Sequence, residues 1–556
     1  MASNARSLPG NIQNYKAAKA GFCYKPPDTY NFCDDVLDKW ARDEDKVGLV
    51  AVDSNGENSR QITFHALKRA ANRFSNACMG IGVQKGDRIL VMLPRALEWY
   101  VAVLGLIRIG AVPCPATTLL THKDISYRVQ SAGMKAAIME PGSAEKLEAV
   151  LRDTPTLTTK ILALGKIPGW LNFEDLLSSA SDELAHKGHP MTKPSDPMVL
   201  FFSSGTERYP KMVLHTHDYP IGHAFSTGFM GHDSKPDDID WTLADTGWAK
   251  SFWGFLGPWA MGACLFTQDA RGKFDPELTL RMIERYGVSV LCAPPTAIRF
   301  IIREDLQRFD FRRLRHVVSA GEPLNPEALT VFKAATGLDI YDIYGQTETT
   351  EVIGNLRGLP IKPGSMGVPT LPYEVAIVNE EGTPLGADEP GHIAIKTRPF
   401  RPLGLFQEYL DDKEAMTRAF VGDYYLTGDM GSMDEDGYVW FMGRGDDVIL
   451  SSGYRIGPFE VESALLEHPA IKESAVVPSP DLIRGELVKA FVVLNKGFLP
   501  SETLTVQIQE HVRSVTAPYK YPRLIEYVEE LPKTVSGKIL RRTLRQQEIL
   551  KSQKTS

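Results

Sequence analysis

From about residue 60 to residue 300 the chain alternates short apolar runs with segments whose apolar residues recur at helical spacing, and this alternation most limits its fold. Residues 64–79 carry apolar side chains on one helical face, and residues 88–93 follow a Lys-Gly-Asp turn as a short buried strand. Asp275-Pro276-Glu277 supplies an N-cap, a proline at the first helical position and an acid in the first turn. That helix is predicted to run to Tyr286, with Gly287 ending it and a strand over 288–293. Asn325-Pro326-Glu327 opens another helix in the same way, Gly337 closes it, and strands are expected at 315–319 and 339–344. Strands that alternate with helices build parallel sheets covered by helices. Ligands of such sheets sit beyond the carboxyl ends of the strands. Ser319-Ala-Gly-Glu-Pro323 and Tyr344-Gly-Gln-Thr-Glu348 both fall there.

After about residue 370 the texture changes to strands joined by Gly/Asp turns, such as Asp434-Glu-Asp-Gly437, which marks a smaller β-rich piece. A length of 556 residues calls for two or more cores. A boundary is read at Gly443-Arg-Gly-Asp-Asp447, with strands predicted at 473–478 and 488–494 and helices at 458–466 and 504–512 beyond it. The expected fold is α/β: a large N-terminal domain (1–445) of helix-covered, mostly parallel sheets plus the β-rich subdomain, and a small α+β C-terminal domain (446–556). The ends, about 1–25 and 548–556, are expected to be loose.

A net charge of -7, from 62 basic and 69 acidic residues, gives no electrostatic reason to expect nucleic acid as a partner. The most apolar stretches, 99–115 and 252–266, are short and broken by Arg, Pro or Gly, so no membrane span is expected. Six scattered cysteines without a C-x-x-C pair read as free thiols of a reducing compartment, and the polar N-terminus lacks a secretory core; the expected location is cytoplasmic. A homo-oligomer is compatible with all of this.

Four segments carry chemistry. Ser203-Ser-Gly-Thr-Glu-Arg-Tyr-Pro-Lys211 joins hydroxyls, a glycine and a lysine between two apolar strands, where backbone N–H groups can wrap phosphate oxygens. A surface turn accounts for the same residues. No Gly-Lys pair is followed by Ser or Thr, which disfavours a P-loop. Tyr344-Gly-Gln-Thr-Glu348 sets a hydroxyl, an amide and a carboxylate at a strand end, the carboxylate suited to Mg²⁺. In Tyr425-Leu-Thr-Gly-Asp429, one bidentate carboxylate matches two ribose hydroxyls. Leu531-Pro-Lys-Thr-Val-Ser-Gly-Lys-Ile-Leu-Arg-Arg542 places Lys538 late in the chain, able to reach a nucleotide held by another domain.

In this order the four segments resemble the adenylate-forming superfamily of acyl-CoA synthetases, adenylation domains and luciferases, over roughly residues 45–545. Gly247-Trp-Ala-Lys-Ser251, Ser319-Ala-Gly-Glu-Pro-Leu324 and Ser451-Ser-Gly-Tyr-Arg-Ile-Gly-Pro458 look most like the medium-chain and aromatic branch. The resemblance implies activation of a carboxylic acid with ATP and Mg²⁺, then transfer to coenzyme A. It assigns Ser203, Ser204, Gly205, Thr206 and Lys211 to a phosphate loop. Gly321, Glu322 and Pro323, with Asp342, Ile343, Tyr344, Gly345 and Gln346, would bind ATP or AMP. Thr347 and Glu348 would handle phosphate and Mg²⁺, Asp429 and Arg444 the ribose, and Lys538 the reacting carboxylate. Asp446 would be the hinge of a mobile small domain, and Ser452, Gly453, Tyr454 and Arg484 would serve coenzyme A. Trp248, Phe252 and Phe255 are candidate walls of the acyl pocket beside Gly345, and ordinary core packing accounts for the same three aromatics equally well. Glycine at 345 is expected to leave the pocket open, so acids larger than acetate fit better, and Gly345→Trp is expected to favour short acids.

The sequence departs from the family at Glu207-Arg208, where a small residue and a glycine are usual. A glutamate beside phosphates is repulsive unless it turns away or pairs with Arg208. A carrier-protein thiol as acceptor, a luciferase-like oxidation and a nucleotide-binding regulator without catalysis are the rival readings.

Overall fold

The computed structural model describes residues 9–184, 191–203, 210–270, 272–322, 324, 326–445, 447–451, 454–481, 484–517, 519–534 and 538–555. The helices expected at 64–79 and from Asp275 to Tyr286 both form. Phe64–Gly80 starts on Thr63, whose hydroxyl accepts from the Ala66 N–H. Pro276–Tyr286 starts on Asp275 and ends on Gly287, left-handed at φ 66°. Each buries one face, Leu67, Ala71, Phe74 and Cys78 in the first, Leu280, Met282 and Ile283 in the second.

The central sheet has 14 strands. Its parallel half runs Val47–Val52, Cys264–Gln268, Ile239–Thr242, Val290–Ala293, His316–Ala320, Ile340–Gly345. At Gly345 the chain turns back as Glu351–Gly354, antiparallel, and every further pairing is antiparallel, through Ser365–Pro369 and Val439–Arg444 to Tyr424–Met433, Gly391–Lys396 and Val375–Val378. The β-rich piece expected after residue 370 is therefore hydrogen-bonded onto the parallel sheet. The change of strand direction opens a crevice at the carboxyl ends of His316–Ala320 and Ile340–Gly345, where open α/β sheets take their ligands.

A second sheet of five parallel strands centres on Ala136–Met139, with Arg88–Met92 beside it, and a three-stranded antiparallel sheet holds Pro197–Ser203 and Lys211–Thr216. The apolar helix Ala249–Ala260 buries Phe252, Phe255, Leu256 and Trp259 in the core shared by these sheets. The C-terminal body is a separate sheet built on the long hairpin Ile471–Asp481 and Gly485–Leu494, with its own apolar core covered by Pro458–Leu466 and Glu502–Val515. Among the described residues no helix is long and apolar enough to cross a membrane.

The described parts of the two ends are not loose. Tyr15–Gly21 is a helix whose Tyr15 hydroxyl donates to the Pro369 carbonyl at 2.7 Å, while the Lys19 ammonium donates to the carbonyls of Thr370 and Tyr373. Burial lowers the Lys19 pKa to about 8. At the other end Arg541–Thr555 is helical, and Glu548, 4% exposed, accepts from Lys489 Nζ at 2.7 Å and from Ser479 Oγ at 3.0 Å.

Candidate active site

Two strands on opposite sides of the crevice bring the first group together. Ile340–Gly345 carries Tyr344 to its end, and Tyr424–Met433 carries Asp429. Oδ2 of Asp429 accepts from the Tyr344 hydroxyl and from Gln346 Nε2 at 2.9 Å. Gln346 Nε2 also donates to the Thr427 carbonyl at 2.8 Å, and its Oε1 accepts from the Tyr425 hydroxyl at 3.1 Å. Arg444, the register partner of Asp429, sets Nε 3.9 Å from Oδ1. Burial raises the Asp429 pKa, and Arg444, Tyr344 and Gln346 oppose that rise. The carboxylate is thus fixed in direction with one oxygen turned to the cation.

Glu348 follows on the loop. Its Oε1 accepts from the Tyr409 hydroxyl at 2.9 Å, and Lys211 sits with Nζ 4.8 Å from the centre of the Tyr409 ring. Burial raises the Glu348 pKa against the pull of Tyr409, Lys211 and Arg444. The Thr347 carbonyl is held at 2.7 Å by His215 Nε2, which must carry the proton because a carbonyl only accepts. Burial lowers the His215 pKa to about 3, so the ring is neutral.

The C-terminal body closes the third side. Its Lys538 turn is tied by Thr534 N–H to the Lys538 carbonyl at 2.7 Å and by Lys538 N–H to Thr534 Oγ1 at 3.1 Å. The Lys538 ammonium lies among Glu322, Arg444 and Asp429; crowding desolvates it and lowers its pKa, although water still reaches the side chain. Lys250 donates to the Ala320 carbonyl at 3.0 Å, and its pKa falls through burial, with Lys538 adding to the effect. Glu322 pairs with Arg299 at 3.6 Å. Asp342 is pushed up to about 7 by burial, opposed by the Leu324 N–H and Lys250.

Lys211, Gly321, Glu322, Asp342, Ile343, Tyr344, Gly345, Gln346, Thr347, Glu348, Asp429, Arg444 and Lys538 therefore share the crevice or its rim, and Ser203 ends the strand that leads to it. Ser204, Gly205, Thr206, Glu207, Arg208, Pro323, Asp446, Ser452 and Gly453 lie outside the described residues. Tyr454 begins the strand Tyr454–Ile456, paired with Ile449–Ser451, and Arg484 is exposed on a turn whose next residue, Gly485, pairs with Ser451.

The acyl-pocket expectation needs correction. Phe255 and Phe252 point into the aromatic core, Phe255 against Phe32, Trp99, Tyr100 and Trp259, and Phe252 against Trp99 and Phe201. Trp248 only precedes this helix as its N-cap. Trp253, two residues from Phe255 and so on the opposite face, is the helix residue that meets Gly345. A Cβ at Gly345 would collide with Trp253 Cη2 and the Thr350 carbonyl, so the direction expected to be open is filled and a tryptophan at 345 requires the loop to move. Sequence reasoning also missed Tyr409, Tyr425, His215 and Lys250. Tyr425 and Lys250 stood inside quoted motifs.

Comparison with known proteins gives two blocks: the AMP-binding enzyme family matches residues 37–410, and the AMP-binding enzyme C-terminal domain matches 460–538. The chain belongs to the AMP-binding enzymes. Within the family it is an acyl-CoA synthetase. The mitochondrial acyl-coenzyme A synthetase ACSM3 of Rattus norvegicus is 45% identical across 98% of this chain and 94% of its own. The human mitochondrial acyl-coenzyme A synthetase ACSM4 is 44% identical across 95% and 92%. Among solved structures, the anthranilate CoA ligase AuaEII with anthranoyl-AMP superposes with a TM-score of 0.84 at 30% identity, covering 94% of this chain and 98% of that one. The acyl-CoA synthetase of Brucella canis gives 0.74 at 37%, covering 97% and 100%. This acyl-CoA synthetase thus shares family and fold over both of its bodies.

Proposed function

We propose that the crevice activates a carboxylic acid in two half-reactions. The enzyme uses ATP, Mg²⁺ and coenzyme A to make an acyl-CoA, AMP and pyrophosphate. A carboxylate is a poor acyl donor because its leaving group would be oxide. In the first half-reaction a carboxylate oxygen bonds to the α-phosphorus, the α–β bridging oxygen leaves with pyrophosphate, and a mixed anhydride remains. In the second a thiolate sulfur bonds to the carbonyl carbon and AMP leaves.

The roles proposed for the residues follow from what each can offer. Asp429 receives the two ribose hydroxyls, with Tyr344, Gln346 and Arg444 keeping its direction. Gly321, Glu322 and Pro323 with residues 342–346 border the base, and Ser203 to Thr206, Lys211 and Thr347 take phosphate oxygens. Lys538 neutralises the negative charge that grows between carboxylate and α-phosphate, the kind of term worth about 3–4 kcal/mol in a preorganised site. Among the described residues no group of three or more His, Cys, Asp or Glu is arranged to hold a metal ion by itself. That fits Mg²⁺, which takes one or two carboxylates and completes its shell with phosphate and water. Glu348 is the carboxylate proposed to hold it. When bound, the ion polarises the phosphate oxygens. Ser452, Gly453 and Tyr454 with Arg484 are assigned to coenzyme A. Residues 1–445 and 446–556 are assigned as two bodies that swivel at Asp446 so that the thiol route can replace Lys538. The acid class proposed is medium-chain, branched or aromatic, which the relatives named as anthranilate and benzoate CoA ligases support.

The observation that carries this reading is the ammonium of Lys538, from one body, standing among Glu322, Asp429 and Arg444 of the other. The test is pyrophosphate exchange with a panel of acids, with and without coenzyme A, in three proteins. Lys538→Ala is expected to lose adenylation by about 10²–10³-fold while still accepting preformed acyl-adenylate, and Asp446→Pro to keep exchange and lose thioester formation. Equal loss of both steps in both variants removes the two-state assignment. A cytoplasmic location and self-association are further proposals. Five of the six free thiols are buried, yet the named relatives are mitochondrial, so fractionation and light scattering decide.

A further inference from the structure

Beside the crevice lies a buried carboxyl group without a partner. Glu351 opens the strand Glu351–Gly354 and is the register partner of Gly345, so its side chain leaves the sheet on the face where Gly345 meets Trp253. It is 0% exposed, and neither carboxyl oxygen has a hydrogen-bond partner among the described residues. The backbone is cut away to admit it. A Cβ on Gly231 would collide with Oε2, and one on Gly354 with Oε1. Gly231 ends the wide-turned helix Ala224–Gly231, a π-type segment of the kind often found at functional sites.

The next residue, His232, is equally buried; its Nδ1 is tied to Asp240 Oδ2 at 2.9 Å, and its Nε2 has no nitrogen or oxygen partner among the described residues, the Cys292 thiol being the group that interacts with the ring. Cys292 lies beside the ring, and the apolar wall around it is Trp253, Cys292, Val318, Ala320 and Ile343. This wall reaches the reaction centre, because the carbonyl of Ala320 is held by Lys250, which feels both Cys292 and Lys538. Charge interactions link Lys538 to Lys250, Lys250 to Cys292, and Cys292 and His232 to Glu351. Burying a carboxyl group unpaired is costly, and native proteins leave few such groups unexplained. Cores fill such positions with apolar side chains. A group that completes the unpaired atoms explains the arrangement better than packing does.

We propose that Glu351 and His232 form a polar end to the acyl pocket, selecting acids that carry a hydroxyl or an uncharged amino group remote from the carboxylate. A hydroxyl can donate to one Glu351 oxygen and accept from the other or from His232, while a plain alkyl or aryl end leaves all three atoms unpaired. An ammonium would bring a further charge into the same dry site. This rests on the carboxylate-activating reading above and adds the class of acid.

The test uses the full chain and matched pairs: benzoate against 3- and 4-hydroxybenzoate and 4-aminobenzoate, and hexanoate against 6-hydroxyhexanoate. Acyl-CoA formation is followed as kcat/KM. The native enzyme is expected to favour the donor-bearing acid in at least one pair by about 10-fold or more, since sites built to hydrogen-bond a substrate discriminate strongly against its apolar analogue. Glu351→Leu is expected to collapse or invert that ratio by raising turnover of the plain acid, and Glu351→Gln to keep part of it. A native preference for the plain acid in every pair, or a ratio unmoved by Glu351→Leu, overturns the proposal. If the leucine variant does not fold, the volume-matched glutamine variant decides by the same ratio. Should no acid release AMP in the native enzyme, the activation reading fails and this inference with it. Should plain acids turn over normally while the ratio stays fixed, only this inference falls.

Discussion

Asp429 and Glu351 are both buried carboxyl groups beside one crevice, and they are supported in opposite ways. Asp429 accepts from Tyr344 and Gln346 and faces Arg444, so its direction is set before any ligand arrives. Glu351 has no donor at either oxygen among the described residues. The first is a site completed by the protein, the second one left for something else to complete. On the proposed roles, the side carrying Asp429 suits one invariant partner and the side carrying Glu351 suits a choice among partners. The two groups sit on one sheet, Asp429 on Tyr424–Met433 and Glu351 on Glu351–Gly354, with Val439–Arg444 and Ser365–Pro369 between them.

Asp429→Ala is the strongest way to break the nucleotide side of this contrast. Hydrogen bonds to a charged group are worth about 1.5–3 kcal/mol each. Loss of an acceptor serving two ribose hydroxyls is expected to weaken ATP binding by about 10²-fold, read as KM for ATP in pyrophosphate exchange, with little change in KM for the acid. A change confined to the acid would reverse the assignment of the two sides.

Glu351→Leu should act on the unliganded protein in the other direction. Removing an unpaired buried polar group recovers about 1–3 kcal/mol, so the variant is expected to unfold at higher denaturant than the native chain without ligand. Asp429→Ala, which strands the Tyr344 and Gln346 donors, is expected to unfold lower. If both variants lose stability equally, Glu351 has a partner in solution and the contrast disappears.

Much of the parallel half was legible because its signals are local: the cap at Asp275, the stop at Gly287, proline at the first turn and helical spacing over 64–79. The crevice residues could be named because short strings carry them to strand ends. What could not be read depends on distant chain. Lys19 is bound by carbonyls more than 350 residues away, and Glu548 by Lys489 and Ser479 on another hairpin, so both ends looked unattached. The helix Ala249–Ala260 is apolar around most of its girth and buried on nearly all sides, so its sequence alone does not say whether Trp253 or Phe255 meets the site. Glu351, three residues beyond Glu348, carried no signal of its own in the sequence; the register with Gly345 and the gap at Gly231 reveal its burial.

A third contrast concerns the support behind the proposed nucleotide side. His215 is neutral and holds the Thr347 carbonyl, with its pKa lowered to about 3 by burial. The unfolded chain binds this proton near its ordinary value, about 6.5. Between pH 6.5 and 3 the unfolded state therefore holds more protons at this site than the folded one, and stability falls as pH falls. Its contribution is complete above pH 6.5. His215→Gln keeps a donor for the Thr347 carbonyl and removes the titration. The variant should be the less stable protein at pH 7.5, and its deficit should shrink on acidification by up to about 1.4 kcal/mol per pH unit. Denaturant melts of both proteins at pH 7.5, 6, 5 and 4 measure this difference directly, and the difference removes the background from His217, His223 and the acidic groups common to both. Parallel stability curves would mean that His215 is charged in the folded protein. The Thr347 carbonyl would then be held by an imidazolium, and the nucleotide side would lose the fixed neutral support that sets it apart from the acid side.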